Sequence, residues 1–240
     1  MAKKEFPDKQ AAKPQEKEKP AANEGGAGGL LGDFSSKISG LTSKLFGIFK
    51  FILAIILLPL LYSTIVSFIN EFSQIDTGLQ RIFYSGVASF LGIYLFIWEP
   101  AVIYNKGHRL MEVTFSFFKP MVNVAPFLLP IYTIFIFIIY GILSFWVRGS
   151  WLIQYALFLI GFTGILHLVF ASKTIRSKKG DFLKANYIFS SCFIFILNLS
   201  LMALGLSFIF ERFSFVNFCN VSFTTFQNIL QAAFKQLFMF

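Results

Sequence analysis

The sequence predicts an all-α fold: a polytopic membrane helix bundle of about five transmembrane helices, with amphipathic helices at the membrane interface. Three observations lead there. Of 240 residues, 56% are hydrophobic and only 14% charged, at a mean hydropathy of +0.68, whereas a soluble domain is nearer one quarter charged. Five stretches are apolar over roughly the 20 residues that a helix needs to cross a bilayer. Period-two alternation is absent from them, so a membrane β-barrel is not supported. Two cysteines exclude a secreted disulfide scaffold. The remaining oddity is a basic excess in so apolar a chain: 21 Lys+Arg against 12 Asp+Glu, a net charge of +9.

Residues 1–29 are rich in Lys, Glu, Pro, Ala and Gly, with Met1 and Phe6 as the only large apolar side chains. Such a tail buries too little apolar surface to offset its conformational entropy and is expected to be disordered. It contains no apolar run of the kind found in a cleavable secretory signal. Over residues 30–44, Leu30, Phe34, Ile38 and Leu41 recur at helical spacing between Ser35, Ser36, Lys37, Ser39 and Lys44. That stripe predicts an amphipathic helix on the membrane surface.

The five-span bundle is expected over 45–210. Its segments run from about Leu45 to Ile69, Ile82 to Tyr104, Met121 to Val147, Trp151 to Ala171 and Asn186 to Phe210. Lys and Arg number eight before Lys50, then one, three, one and five in the connectors, and two after the last span. The basic segments alternate, which predicts a cytoplasmic N-terminus and, with five spans, an external C-terminus. Trp146 and Trp151 flank the outer turn at Arg148, and Trp98 lies near the inner interface. Residues 211–240 read as an amphipathic C-terminal helix on the outer side. Cys219, Phe223, Phe226, Leu230, Phe234 and Leu237 share one face, and Asn217, Asn220, Thr224, Gln227, Gln231 and Lys235 the other. The alternative for residues 213–238 is a sixth span whose polar face lines a bundle.

Ionisable groups inside a membrane are costly, which marks each as a functional candidate. Lys50, Glu99 and His167 are each four or five residues from the cytoplasmic end of a span. At 1.5 Å per residue they share a depth of about 6–8 Å. Equal depth predicts an intramembrane polar cluster, with Lys50–Glu99 as the ion pair and His167 beside it. Such a cluster could relay protons or hold a cation. The structural alternative is that Lys50 snorkels to the headgroups, Glu99 reaches Lys106 or Arg109, and His167 hydrogen-bonds a neighbouring helix. A second candidate is the interfacial polar face of His108, Arg109, Glu112 and Lys119, on an amphipathic segment that Pro120 ends. One histidine and one glutamate four apart do not make the His-Glu-x-x-His metal signature, so no metal site is expected.

No nucleophile elbow, phosphate loop, dinucleotide fingerprint or Cys-x-x-Cys occurs. No cofactor is expected, and both cysteines read as free thiols. Prolines 59, 126 and 130 fall within expected spans, so their freed carbonyls must be met by neighbouring helices or water. Ser85 with Ser89, Ala88 with Gly92, and Gly161 with Gly164 are small-residue pairs that permit close helix contact. The functional expectation is a non-enzymatic scaffold or accessory subunit of a membrane assembly, in a bacterial inner membrane. The alternative is a small transporter or channel subunit using Lys50, Glu99 and His167. Expected partners are anionic lipid headgroups and a protein partner or second copy, but no nucleic acid: the positive charge follows the cytoplasmic segments and leaves no basic-aromatic patch.

Overall fold

A computed structural model describes residues 27–97, 99–117, 125–147, 149–177 and 187–238. Residues 1–26 of the tail, Trp98, the stretch 118–124 with Lys119, Arg148 and most of the connector after Ser177 lie outside them. The chain divides into two units, Met1–Lys44 and Leu45–Phe240. In the first, the described backbone is helical from Ala27 onward. Residues 30–44, expected as a separate surface helix, belong to α1 (Ala27–Phe72).

In the second unit every element among the described residues is helical. After α1 come α2 (Thr77–Gly92), α3 (Ala101–Thr114), α4 (Ala125–Leu128), α5 (Ile131–Ser144), α6 (Ser150–Ser177), α7 (Tyr187–Ile209) and α8 (Phe215–Phe238). Four helical stretches are long and apolar enough to cross a membrane: Phe51–Phe72, Thr77–Ile97, Ser150–Ile175 and Tyr187–Ile209.

Two expected spans are interrupted, each at a proline. The second helix passes from α2 into a π-helical turn, Ile93–Ile97, and stops before Pro100, which precedes α3. Proline has no N–H to donate and its ring clashes with the preceding turn. The third expected span is likewise two pieces, α4 and α5, divided at Leu129 and Pro130. With 14 residues, α5 is about 21 Å long at 1.5 Å per residue. That falls short of a hydrocarbon core of about 30 Å. Pro59, by contrast, sits inside α1 without ending it. Just beyond it, the Ser63 and Thr64 hydroxyls donate back to the Pro59 and Leu60 carbonyls, each at 2.8 Å.

Helix α2 begins at Asp76, whose carboxylate accepts from the backbone N–H of Gly78 and Leu79, a side-chain cap for otherwise unpaired amides. Its buried residues, Phe83, Gly86 and Phe90, fall at helical spacing and face α6. The crossing is reciprocal. A Cβ at Gly86 would run into the Phe158 carbonyl, and one at Gly161 into the Phe83 carbonyl. Glycine on each helix lets the backbones touch, which is how packing is gained in lipid. Of the small residues expected to do this, Gly161 does, whereas Gly92 meets nothing within 4 Å and Ser85 is exposed. Elsewhere the Phe137 ring of α5 lies over Gly205 of α7, and the Tyr132 ring over Gly107 of α3.

Phenylalanine fills what the glycines leave. Phe68, Phe72, Phe83, Phe213 and Phe218 form one buried cluster with Leu157, Ile160 and Leu206. The Phe72 and Phe83 ring centroids are 4.8 Å apart. Others, such as Phe96, Phe145 and Phe208, remain on the outside, as suits contact with lipid.

Gly86→Leu and Gly161→Leu should each lower thermal stability in detergent, an overpacking cost on the order of 1–3 kcal/mol or more. Gly92→Leu should leave it unchanged or raised. Fluorescence-monitored thermal unfolding of the three purified variants checks this.

Candidate functional site

The break at Pro130 creates the most constrained polar site. Where α4 stops, the carbonyls of Phe127 and Leu128 lose the amides that a continuing helix would supply. Two side chains from other helices take them. His167 of α6 donates from Nε2 to the Phe127 carbonyl at 3.1 Å, and Asn198 of α7 donates from Nδ2 to the Leu128 carbonyl at 3.2 Å. The same Asn198 amide also donates to Ile194 at 2.8 Å in its own helix. Both residues are buried. The geometry ties α4, α6 and α7 together at one level.

Around His167 the sequence converges further than its spacing suggests. Tyr104 of α3 is buried, stacked on Phe170 at 5.4 Å, and its ring lies 6.0 Å from those of both His167 and His108. The chain's two histidines thus flank one tyrosine. His108 packs edge-on to Phe127 at 4.9 Å and pairs through Nδ1 with Glu112 at 3.3 Å. Tyr132 donates to the Ile103 carbonyl at 2.7 Å, and the Thr133 and Thr163 hydroxyls share a hydrogen bond at 3.0 Å. A cavity of about 10 Å³ lies between Tyr104, His108, Tyr132, Thr163 and His167, near the lower limit for a single water.

Of the expected cluster of Lys50, Glu99 and His167, two side chains lie among the described residues. Glu99 pairs with Lys173 of α6, both side chains being about half exposed. His167 lies among Tyr104, Phe127 and His108. The Lys50 side chain lies outside the described residues, as does Lys119. Of the expected interfacial face, Arg109 and Glu112 are exposed and His108 is partly buried. Among the described residues no three of His, Cys, Asp and Glu converge in a way that could hold a metal ion. Cys192 is buried and Cys219 exposed, both as free thiols.

Glu71 is the residue that the sequence reading missed. It reads there as part of a polar connector, yet it is buried. One carboxylate oxygen accepts from the Ser214 backbone N–H at 3.0 Å and the other from the Asn217 side-chain amide. Ser214 immediately precedes α8, and its own hydroxyl accepts from the Asn217 N–H at 3.2 Å. A negative charge and two side-chain oxygens therefore serve the start of α8, where free amides and the helix dipole favour them. One turn earlier in α1, the Ser67 hydroxyl donates to the Phe218 carbonyl at 2.7 Å. The signal was present: Ser63, Ser67 and Glu71 repeat every four residues along the C-terminal part of α1.

Two wide grooves, of about 480 and 520 Å³, are lined by apolar and aromatic side chains such as Phe137 and Phe208 in one and Trp151 and Phe158 in the other. Neither lining includes Asp, Glu, His, Lys, Arg or Cys. The fold and its buried contacts define a class: an α-helical protein with several helices of membrane-crossing length and apolarity. Comparison with protein-family models, curated proteins and solved structures gives no match.

His167→Ala and Asn198→Ala should each lower stability in detergent by roughly 0.6–1.7 kcal/mol, the range of interhelical hydrogen bonds in membranes. Reversible unfolding in mixed micelles measures it. Glu71→Ala should cost about 1–3 kcal/mol, because it removes two hydrogen bonds to a charge. It should also accelerate amide exchange over residues 214–218. Glu99→Gln should change little, because its ion pair is half exposed.

Proposed function

We propose that this chain is a multi-pass integral membrane protein acting as a non-enzymatic scaffold or accessory subunit of a membrane assembly. One observation carries the reading: the buried polar side chains join helix to helix. His167 and Asn198 meet the carbonyls left by Pro130, Glu71 holds the start of α8, and Thr133 meets Thr163. Groups placed this way hold a fold rather than transform a substrate. The apolar character of the two grooves agrees with it.

In this proposal α4 and α5 together make a further crossing beside the four long helices. The alternation of basic segments supports a cytoplasmic N-terminus and attraction of those segments to anionic headgroups. A bacterial inner membrane is the setting we propose, with no nucleic acid as partner.

The second reading is the small transporter or channel subunit, and what favours it is the grouping of Tyr104, His108 and His167 around a small cavity. In proteoliposomes it expects pH-dependent flux that His167→Ala abolishes while the protein still elutes as a folded species.

Crosslinking in native membranes followed by purification in nanodiscs tests the scaffold reading. We expect a second, different protein in stoichiometric amount. Its absence from crosslinked and native preparations alike would overturn the accessory role.

A further inference from the structure

Helix α3 is anchored at the level where two membrane-length helices end. Glu99 stands two residues past the stretch Thr77–Ile97, and Lys173 two residues before the end of Ser150–Ile175. Their ion pair brings those two ends together, and α3 starts directly after it, at Ala101. One side of α3 is fixed against its neighbours. Tyr104, Gly107 and Met111 are buried, the Tyr104 ring is stacked on Phe170, and the Tyr132 hydroxyl donates to the Ile103 carbonyl at 2.7 Å.

The outward side is graded. Opposite the buried residues run Val102, Lys106, Arg109 and Val113, all exposed. Their spacing of four, three and four residues puts them in one strip along the helix. Ile103 and Leu110 border the strip on one flank, and Asn105 and Glu112 on the other, again all exposed. Around the helix the order is therefore amide and carboxylate, then two cations, then apolar side chains. Among the described residues neither cation has a carboxylate partner; Glu99 pairs with Lys173, and Glu112 with His108.

That order is the one a helix meets when it lies in a membrane surface: water, then phosphate, then hydrocarbon. The cations call for an anion, and the flank beside them says of which kind. A nucleic acid or an acidic protein surface would neutralise Lys106 and Arg109 but leave Ile103 and Leu110 against water. A phospholipid brings the charge and the chain in one molecule. Arginine can hold a phosphate through two N–H groups at once, and the lysine stem lies along apolar surface while its ammonium reaches the headgroup.

We propose that α3 is a lipid-binding element: Lys106 and Arg109 hold the phosphate of an anionic glycerophospholipid, and its acyl chains lie over Ile103 and Leu110. This gives the attraction to anionic headgroups proposed above a definite seat. It rests on the membrane reading but not on the accessory role.

The test offers the delipidated full chain, in detergent, equal amounts of dioleoyl-phosphatidylglycerol and dioleoyl-phosphatidylcholine. Native mass spectrometry counts the lipid retained. Phosphatidylglycerol should be retained in preference, and Lys106→Gln/Arg109→Gln should cut that preference by about fivefold for each cation removed. Lys235→Gln, on α8, should leave it unchanged, and an excess of inorganic phosphate should displace nothing. Preference that survives the double substitution, or falls equally with Lys235→Gln, would overturn the proposal. Displacement by inorganic phosphate would do so too, by making the seat one for a free anion. The flanks are read separately in liposomes of the same two lipids, on a chain with Cys192→Ala and Cys219→Ser. A nitroxide at Leu110→Cys should collide more with oxygen than with a water-soluble nickel chelate, and one at Asn105→Cys the reverse. The same order at both positions would refute the graded face. Alkaline extraction of the wild-type chain from native membranes keeps the two readings apart. Release would sink the membrane reading itself, whereas retention with an unchanged lipid preference in the double variant would sink the lipid seat alone.

Discussion

A backbone carbonyl buried among apolar side chains needs a donor, and that constraint organises the described helices. Pro130 ends α4 inside an otherwise apolar segment and frees the carbonyls of Phe127 and Leu128. Side chains from neighbouring helices meet them: His167 and Asn198 are placed where α4 stops. The helices carrying those residues are thereby fixed in depth and rotation against α4. A proline that would weaken a soluble helix becomes the reason that three helices share a level.

Close backbone contact supplies the other part of the stability. Association between helices in lipid gains little from apolar burial itself, because the lipid tails are as apolar as the side chains. Contact must then come from shape. At the α2–α6 crossing, Gly86 and Gly161 present bare backbone to each other's helix, and the nearby rings of Phe83, Phe90 and Phe162 fill the space on either side. The many phenylalanines thus serve two environments: some are buried between helices, and others face outward where lipid would lie.

The C-terminal end of α1 follows the same electrostatic logic. Glu71 is an anion with little exposure, tolerable because it meets the amide-rich start of α8 and the Asn217 side chain. Glu99 solves its problem differently, by pairing with Lys173 where both remain half exposed. Two glutamates at the ends of apolar helices therefore have unlike roles. One joins two parts of the fold, and the other is a surface pair that salt can screen.

Composition and apolar run length were enough to determine a helical chain with several membrane-length segments, because the bilayer admits few alternatives. The polar candidates His167 and Glu99 were visible too, since a polar side chain stands out in an apolar segment. The chain alone did not reveal their partners. Lys50 and Glu99 are expected at one depth, but depth does not state which helices are neighbours, and the fold brings Lys173 to Glu99. The small-residue pairs pointed to Gly92 and not to Gly86, whose contact depends on α6 lying against it. Glu71 read as a loop residue because its burial depends on a segment more than 140 positions away. Which elements exist is a matter of local sequence and solvent. Which side chains meet is decided by helix neighbours, and that only the tertiary structure supplies.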